Sequence, residues 1–410
     1  MMGYFDSFKG FWRRQSKNFK VLLTRDIINS LFGQLTGPYT TIFMNKLGAG
    51  AVEIGFLTSI NSFVTMSLSI PSGLLVDRVK RLKRLFLAGR VMELPISLVY
   101  ATARSWYVFI VTNVWGGILG RVETPAMTII QIESLKNEDR VTGMAISRTI
   151  TSAVGILSPM LAAFLITYFG GLDNVDSFRP LYIISFFVGI ATFILLATKL
   201  EEPNVKRTMT ESGIKSTFNI FKTVPGLKMV IFINILNGFF VGMRMPLIPL
   251  YSYKVKGADA YIIGLQATIT TAVNLIFSIP MGSVADRVGR RKLAYVAQLV
   301  YAACVLAAVL APAPEYLLLY TFLSALGGTL QIGWDAFLQE YIPLEMRGRW
   351  FGISSLITAF VNIPAPIFGG LIWNINPDYL WWISLFYYSL LAIPLMMRVP
   401  ELRKETQEEN

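Results

Sequence analysis

The sequence predicts an all-α membrane protein: twelve transmembrane helices in two pseudo-symmetric six-helix bundles, with both termini cytoplasmic. Three observations carry this. Of 410 residues, 54% are hydrophobic and only 15% are charged, a balance unsuited to a chain surrounded by water. Apolar runs of about 20 residues, enough to cross a hydrocarbon layer of about 30 Å as helix, recur along the whole length. Finally, a charged segment occurs twice: GLLVDRVKRLKRLFL at 73–87 and GSVADRVGRRKLAYV at 282–296. Asp77 and Arg78 thereby precede Asp286 and Arg287 by 209 positions.

A basic, aromatic segment at 1–20 comes first and is expected at the membrane surface; no signal-peptidase-like site follows it. The expected spans of the first bundle (1–199) are 20–46, 52–76, 84–103, 106–132, 142–170 and 179–199. Each is apolar over its length and ends in charged or Gly-rich sequence. Residues 200–227, KLEEPNVKRTMTESGIKSTFNIFKTVPG from Lys199 onward, are too polar to span and read as a cytoplasmic linker. The second bundle (228–398) repeats the design at 228–253, 260–284, 292–311, 315–338, 350–373 and 379–398, and 399–410 form a cytoplasmic tail.

The net charge of +12 reflects topology rather than affinity for nucleic acid. With an inside N-terminus, 27 of the 37 Lys and Arg residues fall on the cytoplasmic side and five on the other: Lys46, Arg104, Arg179, Lys254 and Lys256. The positive-inside rule therefore sets the orientation. Arg25, Arg90, Arg121, Arg148 and Arg244 fall within spans. One cysteine excludes an internal disulfide, and the lack of histidine excludes histidine catalysis and histidine metal sites. No Walker loop, GxSxG or metal-ligand cluster is present, so neither an enzyme nor a cofactor is implied.

The halves align beyond the charged segments. RVTGMAISRTITSAVGILSP at 140–159 matches RGRWFGISSLITAFVNIPAP at 347–366, pairing Arg140 with Arg347 and Pro159 with Pro366, while Glu133 matches Glu340 in the same register. Duplicated six-helix halves are the architecture of transporters that rock two bundles about a central site.

With these residues the chain resembles the major facilitator superfamily over nearly its full length. The family's loop signature, G-x-L-x-D-R-x-G-R-R-K, is matched by Gly282, Asp286, Arg287, Gly289, Arg290, Arg291 and Lys292. The first copy keeps Gly73, Leu75, Asp77, Arg78, Arg81 and Lys83, with Lys80 in place of glycine. The resemblance implies a gating latch. Asp77 would engage the start of helix 11 near Arg347, and Asp286 the start of helix 5 near Arg140. Arg78 and Arg287 would pair with Glu133 and Glu340, with Arg290 in the same cluster. The plain alternative is positive-inside anchoring.

The family's cavity-lining helices 1, 4, 7 and 10 each carry a polar stripe here. These are Asp26, Asn29, Gly33, Gly37 and Thr40; Asn113, Gly117, Arg121, Thr124 and Thr128; Asn237, Arg244 and Tyr251; and Ser324, Gly328, Gln331, Asp335 and Gln339. Interhelical packing is the alternative for any one stripe. Charge near the bilayer centre is costly, so Arg121 and Arg244, one per half, are candidates for a joint clamp on an anionic group, with Arg148 adding to the field. They can equally be neutralised by Glu123, Glu93, Asp26 or Asp335. Glu123 lies about 200° around its helix from Arg121 and cannot pair with it, whereas Arg90 and Glu93 share a face. A buried carboxylate is what proton coupling requires, in the order Glu123, Asp26, Asp335, Glu93. Trp334 is a candidate cavity wall; Trp381 and Trp382 read as interface-belt residues.

Family exporters carry G-P-x-x-G-G on helix 5. Here the equivalents are Ser158-Pro159-Met160-Leu161-Ala162-Ala163 and, on helix 11, Ala365-Pro366-Ile367-Phe368-Gly369-Gly370. The drug-exporter helix 4 pattern has Asn113 in place of its arginine, ahead of Gly117. The resulting expectation is proton-coupled efflux of small amphipathic compounds by a monomer in the lipid bilayer of the cell membrane. The rivals are an organic-anion carrier using Arg121 and Arg244, and a non-transporting receptor or enzyme.

Overall fold

The computed structural model describes residues 11–79, 81–203, 226–342 and 346–400. Helices account for nearly all of it, and no strand occurs among the described residues. Grouping segments that continue one another gives α1 (17–46), α2 (Ala51–Arg78), α3 (Leu82–Ala101), α4 (Val108–Glu133), α5 (Arg140–Gly155 with Ser158–Tyr168) and α6 (Arg179–Lys199). The second half holds α7 (Leu227–Lys254), α8 (Ala260–Val288), α9 (Arg290–Val309), α10 (Leu317–Leu330 with Ile332–Tyr341), α11 (Arg347–Val361 with Pro364–Ile375) and α12 (Tyr379–Met397). The linker 200–227 and the tail 399–410 lie almost wholly outside the described residues.

Among the described residues, nine of these helices are long and apolar enough to cross a membrane. The three that fall short of that measure are α1, α3 and α4. They carry Arg25, Asp26, Arg90, Glu93, Arg121 and Glu123, and internal charge is what lowers their hydropathy. Charge of this kind turns inward, while large apolar side chains such as Val111, Phe187, Ile276, Ile279 and Leu310 face out, as lipid contact requires.

Local sequence sets the ends and the breaks. Ser16 caps α1 by accepting from the Phe19 amide, and Asp259 caps α8 by accepting from the Ile262 amide. Gly289 joins α8 to α9 at φ 103°, a left-handed conformation that a side chain would strain. Breaks fall at corresponding places in the two halves: α1 loosens into a π turn at Asn29–Gly33 and a 3-10 turn at Gly37–Tyr39, and α7 into a 3-10 turn at Met245–Leu247. Pro38 and Pro246 sit at those turns, where a missing amide proton and a fixed φ disfavour continuous α-helix. Pro159 and Pro366 do the same for α5 and α11.

Among the described residues, the apolar core common to both halves lies at one end. At the end remote from residues 17 and 398, one apolar core runs through both, from Tyr39, Phe43 and Phe178 to Met243, Tyr251 and Trp381. At the terminal end the apolar clusters each belong to a single half: Val21, Phe86 and Ile130 in the first, Val230, Phe337 and Tyr341 in the second. Lipid tails are as apolar as leucine, so cohesion between halves must come from close packing. Glycine supplies it. A Cβ on Gly55 of α2 would collide with the Pro366 carbonyl of α11, and one on Gly264 of α8 would lie 2.8 Å from the Pro159 carbonyl and 2.9 Å from the Tyr39 hydroxyl.

Polar contacts also bridge the halves at the remote end. The Tyr39 hydroxyl donates to the Ala260 carbonyl at 2.9 Å, and the Tyr253 hydroxyl donates to Asp173 at 2.5 Å. Lys46 completes this clasp at 2.9 Å from Asp173. The hydrogen bonds from Tyr253 and Lys46 hold the exposed Asp173 carboxyl below its usual range. A depressed carboxyl contributes above its ordinary range and is lost as pH falls through the depressed value, so acid opens the clasp only below about pH 4.

Candidate functional site

Inside the first half, three helices deliver charge to one point. Glu123 of α4 is 7% exposed and lies 3.3 Å from the Arg90 guanidinium of α3 and 3.6 Å from that of Arg25 on α1. Arg90 also binds Glu93 at 2.5 Å, one turn along its own helix, and Arg25 binds Asp26 at 2.8 Å. Arg25 further meets Met127 and lies over the Phe86 ring. Two guanidinium groups thus face three carboxylates, leaving one negative charge in excess when all are ionised. Among the described residues, the Nε atoms of Arg25 and Arg90 have no acceptor.

The cluster edges a cavity of about 680 Å³ lined by Asp26, Asn29, Arg90, Glu93, Thr128 and Arg148, among others. Of the α1 stripe, Asp26, Asn29, Gly33 and Thr40 line it and Gly37 does not; Asn29 and Gly33 stand at the two ends of the π turn. A second cavity, of about 670 Å³, lies between the halves, lined by Thr58 and Ser62 of α2, Asn234 and Asn237 of α7, Asp335 of α10 and Asn362 of α11. A third, of about 500 Å³, opens around Arg244, walled by the second half and by Pro38 of α1, and adjoins the second through Val241 and Met245.

Other predicted residues are placed differently. Arg121 is half-buried and lines none of these three cavities, so it does not share one with Arg244. The upper part of its stripe faces α2: Asn61 donates to Asn113 at 3.5 Å, and a Cβ on Gly117 would lie 3.0 Å from Val64. Trp334 is core rather than cavity wall: it is 3% exposed, stacks on Phe337 and donates to Asn234 at 3.3 Å. Tyr251 is buried and donates to Asp378 at 2.7 Å, and Gln331 accepts from Gln298 at 3.3 Å. Trp381 is not a belt residue. It is 1% exposed, with its ring packed on Tyr251 and facing Arg244, because α12 turns it inward; Trp382, beside it, is exposed.

At the terminal end no ion pair joins the halves among the described residues. Arg290 bridges Asp286, at 3.1 Å, and Glu340 within the second half, so Arg290 takes the contact expected of Arg287. Glu133 lies 4.0 Å from Arg140 of its own half, in place of the expected Arg78, which is exposed. Arg347 donates to the Ile342 carbonyl at 3.3 Å. The Asp77 side chain lies outside the described residues.

Sequence reasoning missed Arg25 as a partner of Glu123, since α1 and α4 meet only in the folded bundle. It also missed the tyrosines around Arg244, whose signal is lost among the many membrane aromatics.

The model of the Major Facilitator Superfamily matches residues 27–259 and 230–410, two overlapping matches that together span nearly the whole chain. An uncharacterised MFS-type transporter of Methanocaldococcus jannaschii is 23% identical over 392 residues, 93% of this chain and 94% of its own. The multi-drug resistance efflux pump PmrA of Streptococcus pneumoniae is 23% identical over 354 residues, covering 82% and 84%. Among solved structures, the nucleoside transporter NupG superposes with a TM-score of 0.76 at 14% identity over 93% of this chain and 99% of its own. A bacterial homologue of ferroportin in an inward-facing state superposes at 0.72 with 17% identity, over 92% and 97%. The two bundles, their broken helices and the family match place this multi-pass protein of the cell membrane among transporters: the chain belongs to the major facilitator superfamily.

Proposed function

We propose that the chain is a proton-coupled exporter of small amphipathic compounds, working by alternating access with both termini in the cytoplasm. The observation that carries this is Glu123, buried where α1, α3 and α4 meet and held by Arg25 and Arg90 in a cluster with one carboxylate in excess. One proton makes the cluster neutral. Its arrival on Glu123 removes the attraction that draws three helices together, and its departure restores it; a cluster edging a water-accessible cavity is placed to exchange that proton. The closed remote end and the separate clusters at the terminal end support a state that opens to the cytoplasm. The acid and base residues there (Asp77, Arg78, Glu133 and Arg140 in one half, Asp286, Arg287, Arg290, Glu340 and Arg347 in the other) would close it in the opposite state. Asp335 and Asn237, which line the cavity between the halves, would then serve the pathway. Efflux pumps among the relatives support export.

Inside-out membrane vesicles test the reading. With an acid interior, the vesicles are expected to accumulate a fluorescent amphiphile, and a protonophore should abolish the accumulation. Uptake indifferent to the gradient would argue against coupling. The rival clamp of Arg121 with Arg244 lacks a shared cavity, although Arg244 alone has features of an anion site.

A further inference from the structure

Arg244 is the buried charge that the cluster in the first half does not explain. It is 6% exposed and ends the α-helical part of α7, just before the turn at Met245–Leu247. A guanidinium remains protonated at physiological pH, so this burial carries a full positive charge out of water. Among the described residues no carboxylate pairs with it, and its Nε and Nη1 have no hydrogen-bond acceptor. The groups facing it are the rings of Trp381, at 5.0 Å, and Tyr388, at 5.9 Å. Such rings offset part of the lost hydration, and Tyr388 also meets the guanidinium by a side-chain hydrogen bond, yet Nε and Nη1 stay unused.

The fork borders the third cavity, of about 500 Å³, whose walls include Tyr301, Tyr320, Tyr388, Gln266 and Ser324. This is the size of a small-ligand pocket, apolar and aromatic with a few polar groups. Val241 and Met245 line both this cavity and the one between the halves, so the pocket adjoins the central pathway. We infer that this pocket binds small aromatic acids, the Arg244 fork taking a carboxylate or sulfonate in two parallel hydrogen bonds while the tyrosine walls hold the ring. An acid satisfies at once the orphaned donors, the unpaired charge and the aromatic surface; a neutral or cationic amphiphile satisfies at most the last. The inference rests on the transporter reading and narrows its substrate class to organic anions.

The test is thermal unfolding of the purified full-length protein with a matched set of probes. These are naphthoate, naphthalenesulfonate, neutral naphthamide, naphthylmethylammonium, chloride, inorganic phosphate and a short-chain phosphatidic acid. A ligand that binds only the folded state raises its midpoint. Naphthoate and naphthalenesulfonate are expected to do so, the amide and the ammonium not. In Arg244→Gln the affinity for naphthoate should fall roughly 30-fold or more, while the ligand-free midpoint holds or rises because an uncompensated charge has gone. Ser324→Leu, which fills the pocket and leaves the arginine in place, should also lose the response. The inference is overturned if naphthoate gives no shift, if the amide matches it, or if both variants keep the wild-type response. It is equally overturned if chloride or phosphate alone stabilises as strongly, meaning a bare-anion site, or if only phosphatidic acid does, meaning a lipid site. Failure here leaves gradient-driven uptake in vesicles untouched, and failure of that uptake leaves naphthoate stabilisation untouched, so the two readings fall separately.

Discussion

Glu123→Gln is expected to reduce gradient-driven transport to the level of empty liposomes while substrate exchange without a gradient continues. Glutamine keeps the volume of the side chain and can still accept from Arg25 and Arg90, at 3.6 and 3.3 Å in the native protein, but it takes up no proton. The variant leaves two guanidinium groups against two carboxylates, a balanced cluster, so the fold should survive and the melting midpoint should not fall. Arg90→Gln is the contrast: it strands Glu93 and leaves the buried Glu123 to Arg25 alone, and losing one partner of a buried pair costs about 3–5 kcal/mol. Transport by reconstituted protein, with and without a pH gradient, separates the two variants. An unaltered gradient response in Glu123→Gln would remove this residue from coupling.

Widening the glycine contacts is the second large effect. Gly55→Leu and Gly264→Val place side-chain atoms where the Pro366 carbonyl, in one case, and the Pro159 carbonyl and Tyr39 hydroxyl, in the other, already lie. These backbones belong to opposite halves, so only separation of the halves at the remote end relieves the overlap. Overpacking costs about 1–3 kcal/mol, which shifts a two-state balance about 5- to 150-fold toward the state open at that end. A cysteine placed at Thr41, near the Pro246 carbonyl in the closed end, should react faster with an impermeant maleimide by that factor. Cys304→Ala removes the single native cysteine. Unchanged labelling would mean that closure does not depend on these contacts.

Much of the fold was legible because membrane solvent imposes a simple rule on sequence. Apolar length gave the helices, and the repeated Asp-Arg segments with Pro159 and Pro366 gave the duplication. Charge in the spans lowered the hydropathy of α1, α3 and α4, and that same deficit marks where the cluster sits. Of the α1 stripe, Asp26, Asn29, Gly33 and Thr40 share one cavity while Gly37 does not, because the π and 3-10 turns break the helical spacing between them. On α4, Thr128 lines the cavity while Asn113 and Gly117 face α2, because small and polar residues serve helix packing as readily as a pathway. Partners across helices were beyond reach: nothing in a one-dimensional pattern says that Arg25 meets Glu123, or that Trp381 turns inward to Arg244 while Trp382 faces out.

The central claim is that the proton on the Glu123 cluster decides which end of the bundle is open. Spin labels at Thr142 and Ser283, exposed positions near the terminal ends of α5 and α8, measure that opening directly in the Cys304→Ala background. The account predicts a long and a short distance whose proportions change between acid and alkaline pH, and proportions independent of pH in Glu123→Gln. A pH shift that persists undiminished in Glu123→Gln, or a single distance at every pH, would contradict it.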